Sequence, residues 1–311
     1  AKGMEKDGIT FSEMYKELED QYNYFDTKAN IQMNPDYDSR KIVGDNYANS
    51  SERYYGNNNV VGPDASHRTH VAGIIAATRN NNIGMNGIAD NVKIMVVRVV
   101  PDGDERDKDV ANGIRYAVDN GAKIINMSFG KGYRWDKNIV DSAVAYAEAK
   151  NVLLVHAAGN NGSNNDIEAN YPNDTLWNGK SVAGNWLEIG ASQPKRKMLA
   201  TSFSNYGKSN VDLFSPGQDI YSTIPGNEYA YFNGTSMASL AAAGVAALVW
   251  SRFPKLTAVQ LKQVLMESSV KVNKNVLLPG AKKTKVNFTN LSVSGGLINA
   301  LKALQAASAV K

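Results

Sequence analysis

The chain has 311 residues, 43% of them apolar, and a formal net charge of +4. That length and composition support one large core, and so small a charge, with basic residues scattered, leaves no electrostatic footprint for nucleic acid. There is no cysteine, which excludes disulfides, thiol catalysis and thiolate metal sites, and no stretch approaches the ~18 uninterrupted apolar residues of a membrane-crossing helix.

The chain begins at Ala1 with no basic-then-apolar leader pattern, which reads as a processed or trimmed product. Residues 11–25 predict a polar helix, with Met14, Tyr15, Leu18, Tyr22 and Tyr24 as a thin apolar stripe. Residues 34–59 are rich in Asn, Asp, Tyr and Gly and read as loop. From His67 short apolar runs alternate with helical spacing. The β-branched run 92–100 predicts a strand ending at Pro101. Residues 110–118 and 139–149 predict helices, and 123–127 and 152–157 predict strands. This alternation predicts an α/β fold of three layers, a mainly parallel sheet flanked by helices. Residues 182–191 and 211–214 predict further strands, and 237–250 an Ala-rich helix buried nearly all round. Thr257-Ala-Val-Gln260, just after Pro254, is a capping-box helix start. The tail 291–310 ends in a helix.

Three segments carry residue types suited to chemistry: His67-Arg-Thr-His70-Val-Ala-Gly73, His156-Ala-Ala-Gly-Asn160 and Gly234-Thr-Ser-Met-Ala238. They supply a base candidate, an amide donor and a hydroxyl nucleophile candidate, all at strand or helix ends, where α/β sheets gather ligands. A serine hydroxyl is a weak nucleophile and needs a neighbouring base. Attack on a peptide carbonyl makes an oxyanion, which an asparagine amide and a helix N-terminal N–H stabilise. Singly, each segment also has an ordinary structural reading: a satisfied histidine, a turn, an N-cap. His70 reads as structural and His156 as a packed core histidine.

Together, in this order, the segments resemble the motifs of the subtilisin-like serine protease family, His-Gly-Thr-His-Val-Ala-Gly, Ala-Ala-Gly-Asn and Gly-Thr-Ser-Met-Ala-x-Pro. Ile125-Asn-Met-Ser-Phe-Gly130 looks like that family's substrate-binding strand, and Phe203-Ser-Asn-Tyr-Gly207 and Phe214-Ser-Pro-Gly217 match later segments. The resemblance covers roughly residues 60–265. It implies a serine endopeptidase acting through a Ser236 acyl-enzyme, with His67 as general base and Asn160 as oxyanion donor. It implies that Ser128, Phe129 and Gly130 pair with an extended peptide substrate, and that Ala157, Ala158 and Gly159 line the pocket before the scissile bond. No redox or organic cofactor is required. The loop Thr78-Arg-Asn-Asn-Asn-Ile-Gly84 resembles the family's calcium loop, with Asn81 and nearby carbonyls as possible ligands, beside the reading of a solvated loop. The implied localisation is secreted or cell-envelope. The organisation expected is a helical and loop segment over 1–59, the tail of an insertion, and a subtilisin-like catalytic domain over 60–311.

Three departures qualify the resemblance. The family's aspartate, Asp-Ser/Thr-Gly after a buried apolar strand, has no counterpart before His67. Asp26-Thr27-Lys28 is the nearest imitation, and Asp45 and Asp64 lie in loop-like surroundings. Arg68 replaces a glycine, so its guanidinium must reach solvent or crowd the site. Leu240 replaces a proline, which should straighten the helix without abolishing it. The alternative is therefore a catalytically impaired pseudoprotease that binds extended peptides. A partner fragment carrying the aspartate strand is expected on the enzyme reading. The carboxylates Asp102, Asp104 and Glu105 would favour basic residues several positions before the cut, beside the reading of an ordinary solvated turn.

Overall fold

The computed structural model describes residues 10–101, 103, 105–195 and 198–310. Asp102 and Asp104 lie outside the described residues. The chain divides into two compact units, one of residues 1–58 with 101–103, the other of 59–100 with 104–311.

In the first unit, α1 (Phe11–Thr27) continues into a π-helical turn, Lys28–Gln32. The stripe expected on α1 is exposed: Tyr15, Leu18 and Tyr22 keep 61%, 57% and 68% of their surface. A single turn, Arg40–Val43, ends at Gly44 in the left-handed region, with φ 71°. The Arg40 guanidinium pairs with Asp45 at 2.6 Å and lies over the rings of Tyr47 and Tyr55.

The second unit opens with α2 (Ser66–Ala76), then α3 (Asp107–Asp119), β1 (Ile124–Met127), α4 (Lys137–Ala149), β2 (Leu153–Ala157), β3 (Trp186–Ser192) and β4 (Leu213–Pro216). A hairpin of β5 (Ile220–Ile224) and β6 (Glu228–Phe232) leads into α5 (Thr235–Arg252), followed by α6 (Ala258–Glu267), β7 (Val270–Lys271), β8 (Gly296–Leu297) and α7 (Ala300–Ala307). The sheet runs β1-β2-β3-β4-β8-β7, parallel except for β7. Two short hairpins, at 175–182 and 275–287, sit outside it.

Strand periodicity builds the layers. Successive side chains point to opposite faces, so Leu153 and Val155 join Leu187, Ile189 and Leu213 against α5. Leu154 and Trp186 join Met127 on the other face, against Val110 and Ile114 of α3 and Val140 and Val144 of α4. This is a three-layer α/β fold with a mainly parallel sheet. The expected capping box forms at Thr257, whose hydroxyl accepts from the Gln260 N–H while the Gln260 side chain accepts from the Thr257 N–H. Leu240 is buried within an unbroken α5, as a helix-forming residue in place of proline requires.

The strand expected over 92–100 does not form. These residues join no ladder, and Ile94, Met95 and Val96 keep 42–43% of their surface. Among the described residues, β1 is an edge strand paired only with β2. Residues 92–100 and 123–129 line a common groove of about 1080 Å³, floored by Val71 and Ile75 of α2, Ile114 of α3 and Leu240 and Ala243 of α5. The β-branched composition of 92–100 reports suitability for a pleated, half-buried surface. A ladder also needs a neighbouring edge within ~5 Å. Among the described residues the run pairs with none, the free edge of β1 across the groove included.

Leu154 is fully buried between α3, α4 and the sheet. Leu154→Ala is expected to lower unfolding stability by about 2–5 kcal/mol, read as a lower midpoint in urea denaturation at unchanged slope.

Candidate active site

α5 begins where β1 and β2 end. Gly234 takes φ 156° and ψ 159°, a conformation open essentially to glycine, and the helix starts at once with Thr235 and Ser236. The Ser236 hydroxyl donates to the Ser128 carbonyl at 3.3 Å. The Ser128 and Ser239 hydroxyls both donate to the Ser236 carbonyl, at 3.3 and 3.0 Å. The helix start is thus tied to the chain just beyond β1.

Asn160 follows β2. Its Oδ1 accepts from the Thr235 N–H at 2.9 Å and the Thr235 hydroxyl at 3.0 Å. That commits the oxygen and leaves Nδ2 with no acceptor among the described residues. A Cβ built on Gly234 would lie 3.6 Å from the Ser236 nitrogen and 3.7 Å from Asn160 Nδ2. The two nitrogens therefore lie near one point beside Gly234, which Met237 Sδ also approaches at 3.6 Å. Gly159 is needed for a different reason: its φ is 109° and a Cβ there would sit 2.5 Å from Asn205 Nδ2.

A cavity of about 540 Å³ brings together Ser236, Asn160, Ser128, Phe129, Gly130, Ala157 and Gly159. Ala158 is not in its lining. It is fully buried, with its carbonyl accepting from the Asn165 and Asn170 amides, because alternation along the chain turns it away from its neighbours' face. Three residues given no role from sequence prove to support the wall. Thr235 orients Asn160. Asn205 accepts from the N–H groups of Asn161 and Ser163 at 3.0 and 3.1 Å. Asn170 donates to Ala157 and Ala158. Thr235 and Asn205 stand inside family motifs, whereas Asn170 has no signal beyond an Asn-rich loop.

His67 lies in the first turn of α2 and lines the groove rather than the cavity; Ser128 and Phe129 line both. No hydrogen bond joins His67 to Ser236, or to any carboxylate among the described residues. Its pKa is lowered, first by desolvation among the surrounding atoms, then by the charges of His70 and Arg68, with Asp64 acting weakly the other way. Arg68 neither extends freely nor fills the cavity: its guanidinium bonds back to the Val61 and Asp64 carbonyls. His70 is structural. Its Nε2 donates to the Ile220 and Ala230 carbonyls at 3.0 and 3.1 Å, and its ring stacks on Phe232, pinning α2 to the β5–β6 hairpin.

The other carboxylates considered from sequence are engaged elsewhere. Asp26 accepts from Asn30 in the first unit, Asp45 pairs with Arg40, and Asp64 accepts from the Ser66 N–H at 2.7 Å. Glu105, expected to face substrate, is only 4% exposed; its position beside α3 buries it, so it forms no acidic surface. In the 78–84 loop, Asn81 Oδ1 accepts from the Ile83 N–H at 3.1 Å. Among the described residues no cluster of three or more His, Asp or Glu could hold a metal. The loop offers only neutral oxygens, from Thr78, Asn80, Asn81, Asn82 and the backbone, with no carboxylate among the 6–8 oxygen donors calcium takes.

Comparison with known proteins shows the family. The model of the subtilase family, Peptidase_S8, matches residues 17–293. The chain belongs to the subtilase family. It is 38% identical over 241 residues to a thermophilic serine proteinase of Bacillus sp. AK1, covering 77% of this chain and 54% of that protein. It is 37% identical to the cell wall-associated protease of Bacillus subtilis, covering 70% of this chain and 22% of that protein. Subtilisin BL of Lederbergia lenta is 34% identical, over 75% of this chain and 76% of the relative. The chain thus spans about half, or less, of the first two relatives. Among solved structures, a point mutant of the protease domain of PatA superposes with TM-score 0.61 at 28% identity, covering 78% of this chain and 81% of that one. The prenylagaramide maturation protease PagA does so with TM-score 0.61 at 27% identity, covering 78% and 82%.

Arg68 is one of the charges depressing His67, so Arg68→Gly removes a cation and opens the ring to water. Both effects favour the imidazolium. An NMR titration should show the His67 pKa moving up toward 6.5 in this variant; an unchanged or lower value would refute the assignment of causes.

Proposed function

We propose that the chain is the catalytic domain of a serine endopeptidase, with Ser236 as nucleophile, His67 as general base and Asn160 as oxyanion donor. The observation that carries this reading is the pair of nitrogens, Asn160 Nδ2 and the Ser236 N–H, near one point beside Gly234 in the wall of the cavity that Ser236 and Asn160 share. Ser236 Oγ attacks the scissile carbonyl as its proton passes to His67. The carbonyl oxygen becomes an oxyanion at the two donors. His67 then protonates the leaving amine, and water hydrolyses the acyl-enzyme by the reverse sequence. The substrate is an extended peptide, paired strand to strand with the backbone of Ser128, Phe129 and Gly130, its side chain before the cut held against Ala157 and Gly159. Ala158 supports that wall from behind.

The partner this site requires is an extended apolar strand that ends in an aspartate. The groove supports it: apolar walls, an unpaired β1 edge on one side, the unpaired run 92–100 on the other, and His67 in its lining. A carboxylate delivered there would fix the His67 tautomer and stabilise its cation, against the lowering that desolvation, His70 and Arg68 impose. The protein acts outside the cytoplasmic membrane, secreted or at the cell envelope, as the name of the cell wall-associated relative supports. Among the described residues no helix is long and apolar enough to cross a membrane.

A fluorophosphonate probe is expected to label Ser236 in the wild type and not in Ser236→Ala, by intact mass. Supplying the aspartate strand, fused or co-expressed, should raise peptidase turnover by about 10⁴-fold and raise the melting temperature through binding to the folded state. A stability gain without Ser236-dependent cleavage, with or without Arg68→Gly, would make the chain a peptide-binding pseudoprotease instead.

A further inference from the structure

Behind the substrate wall lies a buried ionisable pair that the proposed reaction does not use. His156, on β2, is fully buried, and Glu188, its register partner on β3, is 5% exposed. His156 Nδ1 stands 3.0 Å from Glu188 Oε1 and 2.9 Å from Oε2. His156 Nε2 stands 2.8 Å from the Phe129 carbonyl oxygen. A carbonyl oxygen only accepts, so Nε2 carries a proton. The Trp186 indole N–H donates to Glu188 Oε2 at 2.8 Å, which calls for a lone pair there. The two nearly equal Nδ1 distances fit one N–H shared between the two carboxylate oxygens. Both ring nitrogens thus face acceptors, an arrangement that an imidazolium satisfies with two donated protons.

The Phe129 carbonyl receives no other hydrogen bond among the described residues. In an extended chain alternate carbonyls point to opposite sides. Holding the Phe129 oxygen inward turns those of Ser128 and Gly130 outward, and the Ser128 oxygen already faces the Ser236 hydroxyl at 3.3 Å. We propose that His156 is a positioning residue of the substrate wall: held as an imidazolium by Glu188, it anchors the Phe129 carbonyl and so sets the peptide groups with which substrate pairs. This rests on the peptidase reading of the wall.

The surrounding charges agree with it. Burial disfavours the cation, but the Glu188 charge and hydrogen bond, the Phe129 carbonyl and the Glu105 charge outweigh it and raise the His156 pKa above 6.5. The next carboxylate, Asp212, accepts from the Glu188 N–H at 2.7 Å and is paired with Lys262 at 3.2 Å. Asp174 lies near both Glu188 and Lys262. On the side of α3, Lys131 is paired with Asp107 at 2.8 Å and donates to the Glu105 carbonyl. A pKa raised by folding stabilises the folded state below the unfolded value and loses that contribution as pH rises through the folded one.

The chain has three histidines, so ¹⁵N-detected NMR of the whole protein resolves each ring. His156 is expected to keep both nitrogens protonated at neutral pH, where His67 and His70, both depressed, are neutral. A neutral His156 tautomer at neutral pH would overturn the proposal. The charge-neutral double variant His156→Gln with Glu188→Gln tests positioning. A small alkyl fluorophosphonate, which does not pair with the wall, should label Ser236 at the wild-type rate. A tripeptidyl diphenyl phosphonate, which does, should react at least about tenfold more slowly, the loss of roughly one well-placed hydrogen bond. An unchanged ratio of the two rates overturns the role of His156 alone. No labelling of the wild type by either probe defeats the peptidase reading, and this role with it. If the double variant does not fold, the NMR result decides.

Discussion

The packing of α5 across the sheet is the constraint on which the site depends. Ala238, Ala242, Ala243 and Ala246 lie fully or almost fully buried against Leu153, Val155, Leu187, Ile189 and Leu213. Small residues let the helix axis approach the strands closely, and the close approach fixes where its first turn falls. Ser236 has no latitude once that contact is made. Its own hydrogen bonds to Ser128, and those of Ser128 and Ser239 back to its carbonyl, add local precision to a position that core packing already imposes. Substituting the helix start disturbs one residue, whereas altering the alanine face would move the whole turn.

Buried charge gathers around His156, Glu188 and Asp212, neighbours across the sheet. His156–Glu188, Asp212–Lys262 and Lys131–Asp107 are three such ion pairs among the described residues. Burial pushes the Asp212 carboxyl up to about 6, although Lys262 and the Glu188 N–H pull against it. Buried pairs of this kind contribute little net stability compared with apolar packing, but removing one member is costly. Their geometry is directional where apolar packing is not. The His156 pair directs an N–H at the Phe129 carbonyl, and Asp107 receives the Trp135 and Asp136 N–H groups at 2.8 and 2.7 Å.

The groove shows what an incomplete ladder does. β1 presents unpaired backbone along one edge, and residues 92–100 present exposed apolar side chains opposite. Unpaired edges and apolar surface are what a strand partner recognises. They also account for the difference between the two halves of the proposed machinery. Ser236 is held by hydrogen bonds to Ser128, just beyond β1, and Asn160 by bonds from Thr235 of α5, while the proposed base stands on α2 beside the groove, with no hydrogen bond to a carboxylate among the described residues.

Local patterning is enough to place most elements. The spacing over 110–118 and 139–149, the apolar runs at 123–127 and 152–157, and the Thr257 capping box all depend on side-chain period and neighbouring residues, and they appear within a few residues of their expected bounds. The order of the His, Asn and Ser motifs likewise points to the family and to the residues worth locating. What the tertiary structure decided concerns partners distant in sequence. The 92–100 run lacks a ladder because pairing belongs to two strands and cannot be read from one. Ala158 turns behind the wall, and Glu105 into the core, because their neighbours do. In the sequence His156 reads only as a packed core histidine. In the fold its pKa is raised, because Glu188, 32 residues away, and Phe129, 27 residues away, close on its two nitrogens. A pKa and a hydrogen bond are properties of the assembled neighbourhood, and no single stretch of this chain contains it.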